Sequence, residues 1–189
     1  RQRQMCIRDR DNTMTYSSGI FGKNNDLYEA QINKYNSICE GIEINKNDNV
    51  CEIGSGWGVF LNYTKDKALT LDGITISKEQ FKYINNNKLN QDNFSIQLKD
   101  YRDIKNKYEK VVSIEMFEAV GKKYWDIYFK KLNSILKTNG EACLQIITID
   151  EKYSSGPSLK HHEDLSFRFS SYNLILTPGS KIAFVRSDF

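Results

Sequence analysis

The run Asn49-Val50-Cys51-Glu52-Ile53-Gly54-Ser55-Gly56-Trp57-Gly58-Val59-Phe60 constrains this chain more than any other stretch. Val50, Cys51 and Ile53 make a short apolar segment of the kind that a parallel strand covered on both faces requires, and three alternate glycines follow at once. The backbone must turn tightly there. Residues without a Cβ allow positive φ and let a ligand lie against the main chain, and the helix that follows offers unpaired N–H groups. Strand, turn and helix around a nucleotide-type site are therefore expected.

The spacing narrows the ligand. A dinucleotide fingerprint needs G-x-G-x-x-G and a ribose-binding acid about 20 residues on. Here the pattern is G-x-G-x-G: Val59 stands where the third fingerprint glycine belongs, and the later segment reads Asp72-Gly73-Ile74-Thr75-Ile76-Ser77. The acid instead precedes the glycines, at Glu52. A carboxylate there attracts a sulfonium and its ammonium group and repels a pyrophosphate. The run reads as a site for S-adenosylmethionine and not NAD, against the plainer alternative of a glycine turn that serves only close packing.

Strands and helices alternate along the rest of the chain. Asp26 caps a helix whose apolar face is Leu27, Tyr28, Ile32, Tyr35, Ile38, Cys39 and Ile42, ending in the turn Asn45-Lys46-Asn47-Asp48. After the first strand come a helix from Trp57 to about Lys65 and a strand from Leu69 to Thr75. A capping box of Ser77 and Gln80 opens a helix that carries Phe81, Ile84 and Leu89 inward. Strands follow at Ser95–Leu98, Lys110–Ile114 and Glu141–Ile149, with a helix at Lys122–Lys137 whose inner side is Tyr124, Ile127, Tyr128, Leu132, Ile135 and Leu136. Right-handed crossovers between such elements give an α/β fold, a Rossmann-like parallel sheet ordered 3-2-1-4-5. Beyond it, Tyr172–Leu176 and Lys181–Val185 flank Thr177-Pro178-Gly179-Ser180, a type II turn sequence, so the last strands are expected to be missing or replaced by a hairpin. Residues 1–13 read as a non-native or disordered leader, 14–150 as the Rossmann-like domain and 151–189 as a divergent tail.

Composition excludes several classes. With 189 residues, 39% hydrophobic and 27% charged, the chain suits one globular domain. No run of 18 apolar residues exists, and the first residues lack a secretory apolar core, so a cytoplasmic location is expected. Of the net charge of +3, two units come from the four Arg and two Asp of Arg1–Asp11, which argues against nucleic acid as a partner. Cys6, Cys39, Cys51 and Cys143 lack C-x-x-C spacing, and His161-His162-Glu163-Asp164 sits in a polar tail, so no metal site is expected.

Five blocks stand in register: Met14-Thr15-Tyr16-Ser17-Ser18-Gly19-Ile20-Phe21, Glu52 to Gly58, Gly73 to Gln80, Asp100-Tyr101-Arg102-Asp103, and Val112-Ser113-Ile114-Glu115-Met116-Phe117-Glu118-Ala119-Val120-Gly121. Together they resemble the cyclopropane-fatty-acyl-phospholipid synthase family, from Met14 to about Asp150. The resemblance implies methyl transfer from S-adenosylmethionine to a cis double bond of an unsaturated phospholipid acyl chain, followed by ring closure, with bicarbonate as base. It also implies cofactor contacts from Glu52, Gly54, Ser55, Gly56, Trp57 and Gly58, a cover from Tyr16 and Ser17, ribose contacts from Thr75, Ile76, Ser77 and Gln80, and adenine neighbours Tyr101 and Arg102. Glu118 matches the acid that helps to hold bicarbonate, and is assigned the central catalytic role; Glu115 belongs to the same motif. Ser18 stands where some relatives have Cys, and Gln145 where some have His, and each still offers a hydrogen bond. Expected partners are unsaturated phospholipid at the membrane surface, met peripherally at its inner face, and a second copy in a homodimer. The family's acidic-Phe-Ile…Tyr-Ile-Phe-Pro-Gly-Gly stretch has no match after Asp150, which leaves two alternatives open: a related methyltransferase with a soluble acceptor, or a catalytically incomplete cofactor-binding fragment.

Overall fold

The computed structural model describes residues 13–23, 26–87, 93–147 and 181–187. Its elements are α1 (Leu27–Gly41), β1 (Asn49–Ile53), α2 (Val59–Thr64), β2 (Thr70–Thr75), α3 (Lys78–Asn86), β3 (Phe94–Leu98), β4 (Tyr108–Ile114), α4 (Trp125–Ile135), β5 (Leu136–Ile147) and β6 (Lys181–Ser187). Single 3₁₀ turns stand at Tyr101–Asp103, Phe117–Ala119 and Lys122–Tyr124.

The sheet is parallel throughout and ordered β3-β2-β1-β4-β5-β6. The five-strand order read from the sequence holds, and β1 lies between β2 and β4 with Val50 and Cys51 fully buried and Ile53 at 2% exposure. Two cores form on opposite faces, because successive strand residues point to opposite sides. Cys51, Ile53, Val111 and Leu144 pack with Phe117, Trp125, Tyr128, Phe129 and Leu132 from the α4 side. Val50, Leu71, Val112 and Cys143 pack with Tyr35, Ile38, Phe60, Leu61 and Ile84 from α1, α2 and α3. Cys39, Cys51 and Cys143 are buried free thiols.

Several expectations need correction. A sixth strand was not foreseen: Lys181–Ser187, read as one arm of a closing hairpin, runs parallel to β5 from Glu141↔Lys181 to Ile147↔Ser187. Its sequence Ile182-Ala183-Phe184-Val185 is a continuous apolar run, of the kind found in parallel strands. The other arm, Tyr172–Leu176, lies outside the described residues, as do Leu89 and the His161–Asp164 cluster. The last helix is shorter than expected, and its inner side is rotated: Tyr124 and Ile127 are exposed, while Trp125 and Phe129 are buried. A period-3.6 count started one residue early, because Lys122–Tyr124 forms a 3₁₀ turn with three residues per turn. Thr138-Asn139-Gly140 does not separate helix from strand either; β5 already begins at Leu136, and its register to β4 shifts between Tyr108 and Lys110 around left-handed Asn139.

Candidate functional site

At the carboxyl end of β1, where open α/β sheets place ligands, the chain turns through Gly54, Gly56 and Gly58 at φ of 85°, 53° and 81°. Gly54 and Ser55 N–H groups donate to the Ile74 carbonyl at 2.9 and 3.1 Å, which clamps the turn onto β2. A Cβ on Gly54 would stand 2.7 Å from Met116 Cγ, and one on Gly56 would stand 3.3 Å from the Tyr16 ring. Glycine is thus required twice over, by backbone conformation and by the close approach of the neighbouring loops.

Glu52 points from this strand end into the α1 side of the sheet at 3% exposure, and its Oε2 has no hydrogen-bond partner among the described residues. Burial pushes its carboxyl up to about 8, partly offset by the Lys34 charge and the Ser55 hydroxyl. Lys34, wholly buried on α1, donates from Nζ to Ser17 Oγ at 2.7 Å and to Gln31 Oε1, and lies 4.8 Å from the Tyr35 ring centroid. Gln31 Nε2 donates to the Ser17 carbonyl at 2.8 Å. Two polar residues of α1 therefore moor the Thr15–Ser18 segment over the glycine turn. The sequence reading missed both, since it followed only the apolar stripe; the available signal was two polar side chains, 31 and 34, in step with Tyr35 and Ile38 on the buried face.

One cleft brings together Tyr16, Ser17, Glu52 and Gly54 to Trp57, with Tyr35 and Ile114 beside them. Tyr16 is 57% exposed, and its hydroxyl accepts from Gln80 Nε2 at 3.4 Å. Thr75 Oγ1 donates to Gln80 Oε1 at 3.0 Å. Ser77 caps α3 by accepting from the Gln80 N–H at 3.3 Å, but the Gln80 side chain turns to Thr75 and Tyr16, so only half of the expected capping box forms. Ile76 is 79% exposed beside this pair. Tyr101 packs edge-on against Tyr128 with centroids 5.3 Å apart, and Arg102 grips Asp100 through bonds of 2.9 and 2.7 Å; neither lines the cleft. Trp57 stands edge-on to Tyr83, and with Tyr63 it lines a second, aromatic cleft adjoining the first.

Ser18 and Gln145 meet, although 127 residues separate them: Gln145 Nε2 donates to Ser18 Oγ at 2.9 Å and to the Ser18 carbonyl at 3.3 Å. Between them lies the carboxylate of Glu115. Its Oε1 accepts from the Ser18 N–H at 2.9 Å, from Ser18 Oγ, and from Gln145 Nε2 at 3.0 Å. Glu115 itself has φ of 47°, and its N–H donates to the Gln145 carbonyl at 2.9 Å. Glu118 stands on the following 3₁₀ turn, half-buried; burial is what chiefly raises the Tyr128 hydroxyl, and the Glu118 charge adds a smaller push in the same direction. The carboxylate that the structure sets between Ser18 and Gln145 is thus that of Glu115.

A cationic cofactor fits, since Glu52, whose buried Oε2 lacks a donor among the described residues, lines the cleft together with the glycine turn. Bicarbonate does not, because the donors expected to hold it, on Ser18 and Gln145, converge on Glu115 Oε1.

Comparison with known proteins agrees with the fold and gives the family. The family model for mycolic acid cyclopropane synthetase matches residues 7–172. The cyclopropane-fatty-acyl-phospholipid synthase of Escherichia coli (strain K12) is 35% identical over 138 residues, covering 72% of this chain and 36% of the relative. The chain thus spans about a third of that relative's length. Among solved structures, the cyclopropane synthase MmaA2 from Mycobacterium tuberculosis superposes with a TM-score of 0.71 at 22% identity, over 92% of this chain and 63% of that one. The mycolic acid cyclopropane synthase CmaA1 complexed with SAH and CTAB gives 0.66 at 21% identity, over 92% and 63%. Both share the Rossmann-like methyltransferase sheet. With a family match over residues 7–172, most of its length, the chain belongs to the mycolic acid cyclopropane synthetase family.

Proposed function

We propose that this chain transfers a methyl(ene) group from S-adenosylmethionine to the cis double bond of an unsaturated phospholipid acyl chain, meeting the lipid peripherally at a membrane surface. The observation that carries the reading is the buried, donor-less Glu52 oxygen beside three left-handed glycines under the Tyr16 loop. Family membership and the lipid-modifying relative support the acceptor.

In this reading Glu52 and the backbone of Gly54–Gly58 hold the methionine and ribose part, Thr75 and Gln80 bind ribose hydroxyls, and Tyr16 and Ser17 close over the whole. When bound, S-adenosylmethionine supplies an electrophilic methyl carbon, whose bond to sulfur breaks with the electron pair left on sulfur. An alkene is a weak, uncharged nucleophile, and its attack leaves a carbocation, so the site must be dry and supply negative or π charge. Tyr35 and Trp57 provide aromatic faces at the cleft, and Glu118 provides charge on the turn after β4.

The test uses cofactor with a deuterated methyl group and vesicles of dioleoyl phospholipid. A labelled methylene or methyl in the recovered acyl chain is expected. Transfer to a small soluble amine without vesicles would replace this reading with that of a soluble-acceptor methyltransferase, and binding without transfer would reduce the chain to a cofactor-binding fragment.

A further inference from the structure

We infer that the Glu115 carboxylate takes the place of bicarbonate, so that the base of the reaction is built into the chain. The inference rests on the methyl-transfer reading for its chemistry, and on the Ser18–Glu115–Gln145 contacts for its geometry.

An anion-binding base needs convergent N–H and O–H donors. Ser18 N–H, Ser18 Oγ–H and Gln145 Nε2–H supply three, and all of them end on one oxygen, Glu115 Oε1. A separate anion in the same place would meet a carboxylate of like charge at hydrogen-bond distance and would have to take these donors from it. Among the described residues, no hydrogen bond to Glu115 goes to its second oxygen. That oxygen is therefore the one available to accept a proton.

The backbone carries a cost for this placement. Glu115 stands at φ of 47°, in the left-handed region that is unfavourable for a residue with a Cβ. Its neighbours hold it there: the Glu115 N–H donates to the Gln145 carbonyl at 2.9 Å, and Phe117, two residues on, is buried among Trp125, Tyr128 and Phe129. A glutamate that served only as a surface turn residue would have no need of three donors drawn from the amino-terminal loop and from β5. The adjoining residues on both segments, Ser17 and Ile114, line the cofactor cleft, which puts the cluster at its margin.

After methyl attack, a C–H bond of the transferred carbon breaks, its electron pair forms the second ring C–C bond, and the proton passes to a Glu115 oxygen and from there to water. No external base, oxidant or reductant is consumed.

The experiment compares the chain with Glu115→Gly, which relieves the left-handed backbone, and with Glu115→Gln, which keeps size without charge. Carbonate-free protein is titrated with ¹³C-labelled bicarbonate and the ¹³C line width is followed. No broadening is expected with the unaltered chain or with Glu115→Gln, and saturable broadening with Glu115→Gly, whose emptied donors accept the anion. In turnover, the unaltered chain should be indifferent to bicarbonate. Glu115→Gly should lose about 10²-fold or more, the scale of a base, and recover in part when bicarbonate is added, while Glu115→Gln should lose as much without recovery. Saturable broadening with the unaltered chain, turnover that falls when bicarbonate is removed, or absence of binding by a folded Glu115→Gly would each overturn the inference. If none of the three proteins turns over, the methyl-transfer reading fails, and the line widths still decide whether Glu115 occupies an anion site.

Discussion

At the scale of single residues, the proposed reaction assigns cofactor binding to the Glu52 carboxylate and, beside the Glu115 base, stabilisation of the cation to that of Glu118. Burial holds the Glu52 carboxyl neutral up to about pH 8 in the ligand-free chain, against an ordinary value of 4.5. A raised pKa in the folded state means that its contribution to stability is fully present below about pH 4.5 and is lost as the pH rises through about 8. A cationic ligand favours the ionised form, so binding at pH 7 should release a proton, and affinity should increase with pH and level off above about 8. Calorimetry in two buffers with different ionisation heats measures that proton directly. Glu52→Gln should abolish the release and weaken binding by about 10- to 100-fold, the range of a charge-assisted hydrogen bond. Proton-independent binding in the unaltered chain would contradict this role. Glu118→Gln should leave cofactor affinity unchanged and lower turnover on the order of 10²-fold, because its charge matters only once the acceptor is cationic. Unchanged turnover would remove Glu118 from the mechanism.

At the scale of elements, the glycine turn and the loop above it act as one unit. Gly56→Val should abolish cofactor binding: its backbone lies at φ of 53°, and its new side chain would enter the space at the Tyr16 ring, 3.3 Å from the added Cβ. Lys34→Met should loosen the same loop from below, by removing the ammonium that holds Ser17 at 2.7 Å. The expected sign is faster amide exchange over residues 15–18 and a loss of about 1.5–3 kcal/mol in chemical denaturation, the scale of a hydrogen bond to a charged group. Unaltered exchange there would mean that the loop is held by other contacts. The turn was legible in the sequence because glycine spacing and a preceding acid are local features. So were the Asp26 cap, which accepts from the Glu29 N–H at 3.2 Å, and the buried β1 run. The mooring by Gln31 and Lys34 was hidden, since polar residues on a helix face reveal their purpose only when a distant loop lies on them. The cluster at Glu115 was half legible. Ser18 and Gln145 followed from family positions, but the carboxylate between them depends on how the chain turns after β4, which no periodicity encodes.

At the scale of the whole molecule, the six-stranded sheet gathers Glu52, the glycine turn, Thr75 and Glu115 at the carboxyl ends of β1, β2 and β4, with Gln145 on β5 closing the side, while Tyr16, Ser17 and Gln80 reach the site from the amino-terminal loop and α3. β6 covers the β5 edge. No helix among the described residues is long and apolar enough to cross a membrane. The central claim is that the sheet's glycine turn, with Glu52 beneath it, is a site for the ammonium-bearing S-adenosyl amino acid and not for a pyrophosphate dinucleotide. Calorimetric titration of the chain with S-adenosylhomocysteine and, separately, with NAD tests this most directly. Saturable one-to-one binding of S-adenosylhomocysteine, lost in Gly56→Val, with no heat from NAD is the predicted result; tight binding of NAD with none of S-adenosylhomocysteine would contradict it.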